Sequence, residues 1–246
     1  MNLALTYTRY ELLRTFRNRR FFFFSIGFPL LFFFVIAGPQ KDVHSLGGSG
    51  IAAPLYYMVG LTAFGTMNAV LSSGARIAVE RGAGWNRQLR LTPLSARAYF
   101  RSKVLTGYLM AGSTIVVIYA SGISLGVSLP LSRWVSMTAL ILVGLIPFAA
   151  MGVLFGHILT ADSIGPAMGG STALFAFLGG TWFPITGSGV LHDIAQLLPS
   201  YWLVQASHVS ISGHGWPAKG WIVIGAWTLV MAVLAARAYR GDTARV

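Results

Sequence analysis

The sequence predicts an all-α integral membrane protein: six transmembrane helices, an N-terminal interfacial helix, and an outer helical hairpin before the last span. Three observations predict it. Of 246 residues, 55% are hydrophobic and only 10% charged, more apolar surface than a chain of this size can hide from water by folding on itself. The apolar residues gather into windows close to the about 20 residues needed for a helix to cross a hydrocarbon core of about 30 Å. Barrel strands are excluded, since they need only about ten residues of alternating pattern. Lastly, the basic residues cluster between alternate windows, on one side of the implied membrane.

In chain order, residues 1–20 read as a helix with Leu3, Tyr7, Tyr10 and Leu13 near one side and Arg14 interrupting it. Such a helix suits the interface, with Arg and Tyr at headgroup level. Apolar windows follow at 21–38, 54–75, 104–127, 134–156, 164–183 and 220–236. Gly27 and Pro29 fall inside the first, Pro147 and Pro166 inside the fourth and fifth, and each proline removes a backbone donor, so kinks are expected there. The third, fourth and fifth windows are joined by a few residues only, which makes them antiparallel neighbours in one bundle. Glycines four apart, Gly122/Gly126, Gly152/Gly156 and Gly165/Gly169, allow close helix approach, within the bundle or between copies. Residues 184–219 carry the apolar helical set Leu191, Ile194, Ala195 and Leu198, broken by Pro199 and too short to span. A re-entrant or interfacial hairpin fits, with Trp182, Trp202, Trp216 and Trp221 at the membrane interface. No internal repeat divides the chain, so 1–246 is one membrane domain.

Orientation follows from charge. Arg9, Arg14, Arg17, Arg19 and Arg20 precede the first span; Arg76, Arg81, Arg87, Arg90, Arg97, Arg101 and Lys103 follow the second; Arg237, Arg240 and Arg245 follow the last. The other side receives Lys41, Arg133 and Lys219, a split of fifteen to three that places both termini in the cytoplasm. The net charge of +12 is thereby a topology signal, and no base-stacking motif supports nucleic-acid binding. Arg19-Arg20-Phe21-Phe22 resembles a twin-arginine export signal, but the apolar run behind it exceeds the about 7–15 residues of a signal peptide, and five spans follow.

The acidic residues are Glu11, Asp42, Glu80, Asp162, Asp193 and Asp242, none in the middle of a window, so the carboxylates that ion-coupled carriers place at bilayer depth are missing. His157 and Asp162 are five apart at a window junction, where a proton-handling pair is conceivable and a short polar turn is the simpler reading. His192, His208 and His214 match no zinc spacing, and cysteine is absent, so no metal site is expected. No phosphate-binding loop is present; Gly47-Gly48-Ser49-Gly50 lacks the lysine and reads as an outer turn.

One stretch stands apart: "ERGAGWNRQLRLTPLS", residues 80–95, carries four charges in an otherwise apolar chain. Trp85 and Leu89 share a face of a short helix, Thr92-Pro93 ends it, and Ser95 can cap the helix running through Lys103 into the third window. A cytoplasmic helix with an apolar face, on a membrane domain without an energy source, reads as a docking element. Attraction of a basic loop to anionic lipid is the simpler alternative.

This stretch resembles the motif after the second span in ABC-2 type permeases: Glu80, Gly82/Gly84, Leu89, Leu91, Pro93-Leu94-Ser95 and Lys103. A second match is "TWFPITGSGVLHDIAQLLPSYWLVQASH", similar to the family's two-proline segment after span five, here Pro184 and Pro199. Gly84-Trp85 stands where Gly-Thr-Leu is commoner. The resemblance implies a translocation subunit, not an enzyme, of an ABC exporter in the bacterial cell membrane. It implies two such permeases, alike or different, with ATP-binding subunits that carry ATP and Mg, while this chain binds no cofactor. Under it, Glu80, Gly84, Trp85, Leu89 and Pro93 couple to the ATPase; Thr62, Thr66 and Asn68 line the path of an amphiphilic drug, antibiotic or lipid-like cargo; and membrane lipid is the other partner. The alternatives are an ion-coupled carrier, a membrane-embedded enzyme and a scaffold subunit.

Overall fold

Pro29 sets the local geometry of the first long helix. The structure, a computed structural model, describes residues 3–85, 88 and 91–243. After the N-terminal helix α1 (Leu3–Phe16), α2 runs over Arg19–Ala37, opened by Asn18, whose side chain accepts from the Phe21 amide at 3.2 Å. Its turn at Phe23–Gly27 is a π-helix. Pro29 cannot donate to the carbonyl of Ser25, and the Thr114 hydroxyl of a neighbouring helix lies 3.1 Å from that carbonyl, its single proton shared with the Met110 carbonyl at 3.0 Å. The expected irregularity is present, with a shared donor from a neighbouring helix at its backbone acceptor.

The remaining elements are α3 (Ala53–Gly82), α4 (Ala96–Ser124), α5 (Leu131–Ile158), α6 (Ile164–Leu178), the short α7 (Val190–Gln196) and α8 (Pro199–Gln205), and α9 (Ala218–Thr243). No strand occurs among the described residues. Four helices, α2, α4, α5 and α9, are long and apolar enough to cross a membrane. The other two windows fall short of that measure for different reasons. α3 is long but rich in Gly, Thr, Ser and Tyr. It is also the central helix, packed by α2, α4, α5 and α6 and buried over most of its length, so its side chains meet protein rather than lipid. α6 has 15 residues, a rise of about 22 Å.

The α3–α5 contact is made by backbone. A Cβ on Gly74 would lie 2.6 Å from the Gly152 carbonyl carbon, and one on Gly156 would lie 2.7 Å from the Gly74 oxygen. Gly152/Gly156 therefore packs within the chain, and Gly122 packs against the Met58 side chain, whereas Gly165 and Gly169 meet nothing within 4 Å. Pro147 coincides with a break at Leu145, next to which Tyr108 donates to the Leu142 carbonyl at 3.1 Å. Pro166 causes no kink. It lies in the first turn of α6, where its absent N–H would have had no helical partner, and this corrects the expectation of a break inside that window.

The hairpin forms as two short helices broken before Pro199. α8 is the buried arm, with Tyr201, Trp202, Leu203 and Val204 inside, and Trp227 of α9 donates to the Leu197 carbonyl at 2.8 Å. In α7, Ala195 is buried, but Leu191 and Ile194 are exposed.

Candidate functional site

The site is built where α3 ends and α4 begins. Burial at that junction reverses the usual pattern, because α1 turns its polar stripe inward. Glu11 and Thr15 are buried, while Leu5, Tyr10, Leu13 and Phe16 face out. Of the apolar face expected for this helix, Tyr7 lines the inner cleft, and Tyr10 and Leu13 are exposed. Outward apolar residues on a helix with inward polar ones suit an element lying against lipid.

Lys103 explains the reversal. Its ammonium is completely buried, 2.7 Å from Glu11 Oε1 and 2.5 Å from Glu80 Oε1. Arg14 adds a contact to Glu80 Oε1 at 3.1 Å, and the Tyr99 hydroxyl donates to Glu80 Oε2 at 2.5 Å. Two carboxylates face two cations, so the cluster is neutral overall and joins α1, α3 and α4. Burial first, and then the charges of Glu80 and Glu11, push the Tyr7 phenol well above its ordinary range, against the opposing influence of the Trp85 indole. Tyr7 therefore stays uncharged beside the cluster. Ser73 donates to the Lys103 carbonyl at 2.6 Å and fixes the same turn of α4 to α3.

Arg81 reaches the opposite way. It donates to the carbonyls of Gly156 and His157, at 3.1 and 2.6 Å, closing the C-terminus of α5, and pairs with Asp242 of α9 at 2.8 Å. The second oxygen of Asp242 is 3.1 Å from His157 Nδ1. His157 thus pairs with Asp242, not with Asp162, which is exposed; the junction after α5 is a polar turn held by reciprocal Thr160–Ser163 bonds. The end of α3 is held on both flanks.

From this anchored end the chain turns at Gly84, whose φ of 72° suits a residue without Cβ. Trp85 follows, 39% exposed, on the rim of a cleft of about 610 Å³ shared with Tyr7, Tyr10, Val79 and Leu94, with Glu80 and Glu11 at its floor. Pro93 is exposed, and Ser95 caps α4, accepting from the Ala98 amide at 3.3 Å. Asn86, Arg87, Leu89 and Arg90 lie outside the described residues, and with them most of the expected docking helix.

The site residues named from sequence thus separate by position. Trp85 and Pro93 are exposed, and Gly84 is half-buried at the turn before Trp85. Glu80 sits beneath it, 3% exposed, so its carboxylate touches α1 and α4 rather than solvent. Thr62 and Thr66 are completely buried, Thr66 bonding back to the Thr62 carbonyl at 2.7 Å, and Asn68 is half-buried with its amide 3.4 Å from Ser25 Oγ. Sequence reasoning missed Arg14, Tyr99 and Lys103 as partners of Glu80, and Glu11 as the second partner of Lys103. The available signal was a lysine on the basic side of a chain that otherwise uses arginine there.

A family model described as ABC-2 family transporter protein matches residues 46–237, a stretch that holds both Glu80 and Lys103 and begins after α1. The chain is also 26% identical over 240 residues to a Bacillus subtilis (strain 168) protein named "Putative transport permease YvfS", covering 95% of this chain and 96% of that protein. With a match over most of its length, the chain belongs to the ABC-2 family of transporter proteins.

Proposed function

We propose that this chain is the membrane subunit of an ATP-driven exporter, assembled as two permeases with separate ATP-binding subunits that hold ATP and Mg. The observation that carries the reading is the end of α3: a buried ionic network on the α1–α4 flank, a half-buried one on the α5–α9 flank, and the Gly84 turn between them that presents an exposed Trp85. A surface turn so firmly tied to four other helices can pass a push from outside into the bundle. Trp85 and Pro93 make the contact together with Leu89. Glu80 acts beneath them as a positioning residue, holding the turn against α1 and α4.

Six passes remain the proposed topology. α3 crosses as an enclosed helix, and α6 crosses with the residues that follow it as far as 183. The fifteen-to-three charge split supports cytoplasmic termini, a cytoplasmic 76–103 segment, and a 184–219 hairpin on the outer side of a bacterial cell membrane. The cargo is an amphiphile such as a drug, antibiotic or lipid. Asn68 has the most accessible side chain of the proposed path residues, and Thr62 and Thr66 reach the path only when the helices part. The test is ATP hydrolysis by the purified chain, alone and co-purified with an ATP-binding subunit. Hydrolysis only in the complex, stimulated by cargo, is expected; hydrolysis or efflux by the chain alone would overturn the reading.

A further inference from the structure

The geometry points to a phosphate-recognising site for the headgroup of an anionic phospholipid, in the cleft between α1 and α3 lined by Arg14, Arg17, Asn18 and Arg76. This cleft, of about 550 Å³, lies beside the Lys103 cluster and shares Arg14 with it. Its charge balance is its main feature. Glu11 and Glu80 are committed to Lys103 and Arg14, and Asp242 to Arg81 and His157. Among the described residues, neither Arg17 nor Arg76 has a carboxylate within 4 Å. Arg76 uses one Nη on the buried Thr15 hydroxyl, at 2.7 Å, which holds its guanidinium at the cleft wall. A pre-positioned guanidinium with free donors is suited to bidentate contact with a phosphate oxygen pair.

The cleft's position selects a lipid as the source of that phosphate. α2 starts at Arg19 and becomes apolar at Phe21, and α3 carries no charge up to Ala75 and is charged from Arg76, so both helices change character at the level of the cleft. That is the headgroup level of the bilayer. Tyr10 and Leu13, on the outward face of α1, supply the apolar margin against which acyl chains descend. The inference requires only that the chain be embedded in a membrane, and it stands apart from the ATPase reading.

The test uses the full-length chain in detergent, titrated with phosphatidylglycerol and, in parallel, phosphatidylcholine, with the first bound lipid followed by native mass spectrometry. Arg17→Gln, Arg76→Gln and Arg237→Gln each remove one unit of charge, the last from an exposed site on α9. The expected result is a rise of about fivefold in the apparent Kd for phosphatidylglycerol with the first two variants, no change with the third, and no effect on phosphatidylcholine. Arg17 makes no side-chain bond to the described residues, so its variant remains informative if Arg76→Gln fails to fold. Equal effects of all three variants, or none, would overturn the site by reducing it to net charge. In a separate arm, inorganic phosphate is added to lipid-free protein and thermal stability is followed. Arg76-dependent stabilisation there, together with displacement of phosphatidylglycerol, would reassign the cleft to a soluble phosphate and overturn the lipid assignment.

Discussion

Glu80 and Arg81 are consecutive residues that anchor the end of α3 to different parts of the bundle. Glu80 holds Lys103 at 2.5 Å on the α1–α4 flank, and Arg81 holds Asp242 at 2.8 Å on the α5–α9 flank. Neighbouring positions on a helix point about 100° apart, which is why two adjacent charges can serve two networks. A displacement at the Gly84 turn is therefore shared by both flanks.

Lys103→Met leaves Glu11 and Glu80 buried without their shared ammonium. Removing one member of a buried ion pair costs about 3–5 kcal/mol, so a sharp fall in thermal stability is expected, read by fluorescence-detected size exclusion after heating. Adding Glu80→Gln to Lys103→Met should recover part of the loss, because the uncompensated charge is smaller. Equal stability of Lys103→Met and wild type would remove the cluster from the account.

At the α3–α5 contact, Gly152→Val forces a side chain against the Leu71 carbonyl, where even a Cβ would sit at 2.5 Å. A loss of about 1–3 kcal/mol or a failure to fold is expected from overpacking, whereas Gly165→Val, with nothing within 4 Å, should be tolerated in the monomer. Comparing monodisperse yields of the two variants decides it.

Thr114→Val removes the hydroxyl that serves the Ser25 carbonyl opposite Pro29. A cost of about 1 kcal/mol is predicted, and a Pro29→Ala change in the same background should recover it by restoring the helical donor. Failure of that rescue would mean the two residues do not share one acceptor.

Much of this fold was legible because hydrophobic length and charge sidedness are local properties. The windows at 21–38, 104–127, 134–156 and 220–236 reappear in α2, α4, α5 and α9. The site was less legible. Glu11 and Lys103 are 92 positions apart, and nothing local tells an inward glutamate on a surface helix from an outward one. Likewise, His157 lies five residues from Asp162 in sequence, yet its partner is Asp242, because the α5–α9 packing brings them together. Pro166 misled for a related reason: an apolar window does not reveal where the helix starts, and the proline sits in the first turn of α6.

The proposed topology is open to a direct probe, since the chain has no cysteine of its own. Single cysteines at Ser49 and Ser188 should react with an impermeant maleimide in intact cells, and one at Asn86 only after the membrane is opened. Labelling of the Asn86 position from outside would contradict the orientation.

The central claim is that the turn after α3 receives the ATP-binding subunit, and the measurement that tests it most directly is pull-down of that subunit at matched membrane expression. Truncating a buried aromatic anchor costs about 2 kcal/mol or more, so Trp85→Ala should weaken recovery by about thirtyfold, with a similar direction for Leu89→Ala. Joint replacement of Arg87, Arg90 and Arg97 by Gln should have the smaller effect. If Trp85→Ala and Leu89→Ala keep full recovery and transport while the triple arginine variant loses them, the segment is a lipid-attracted loop and the docking account is contradicted.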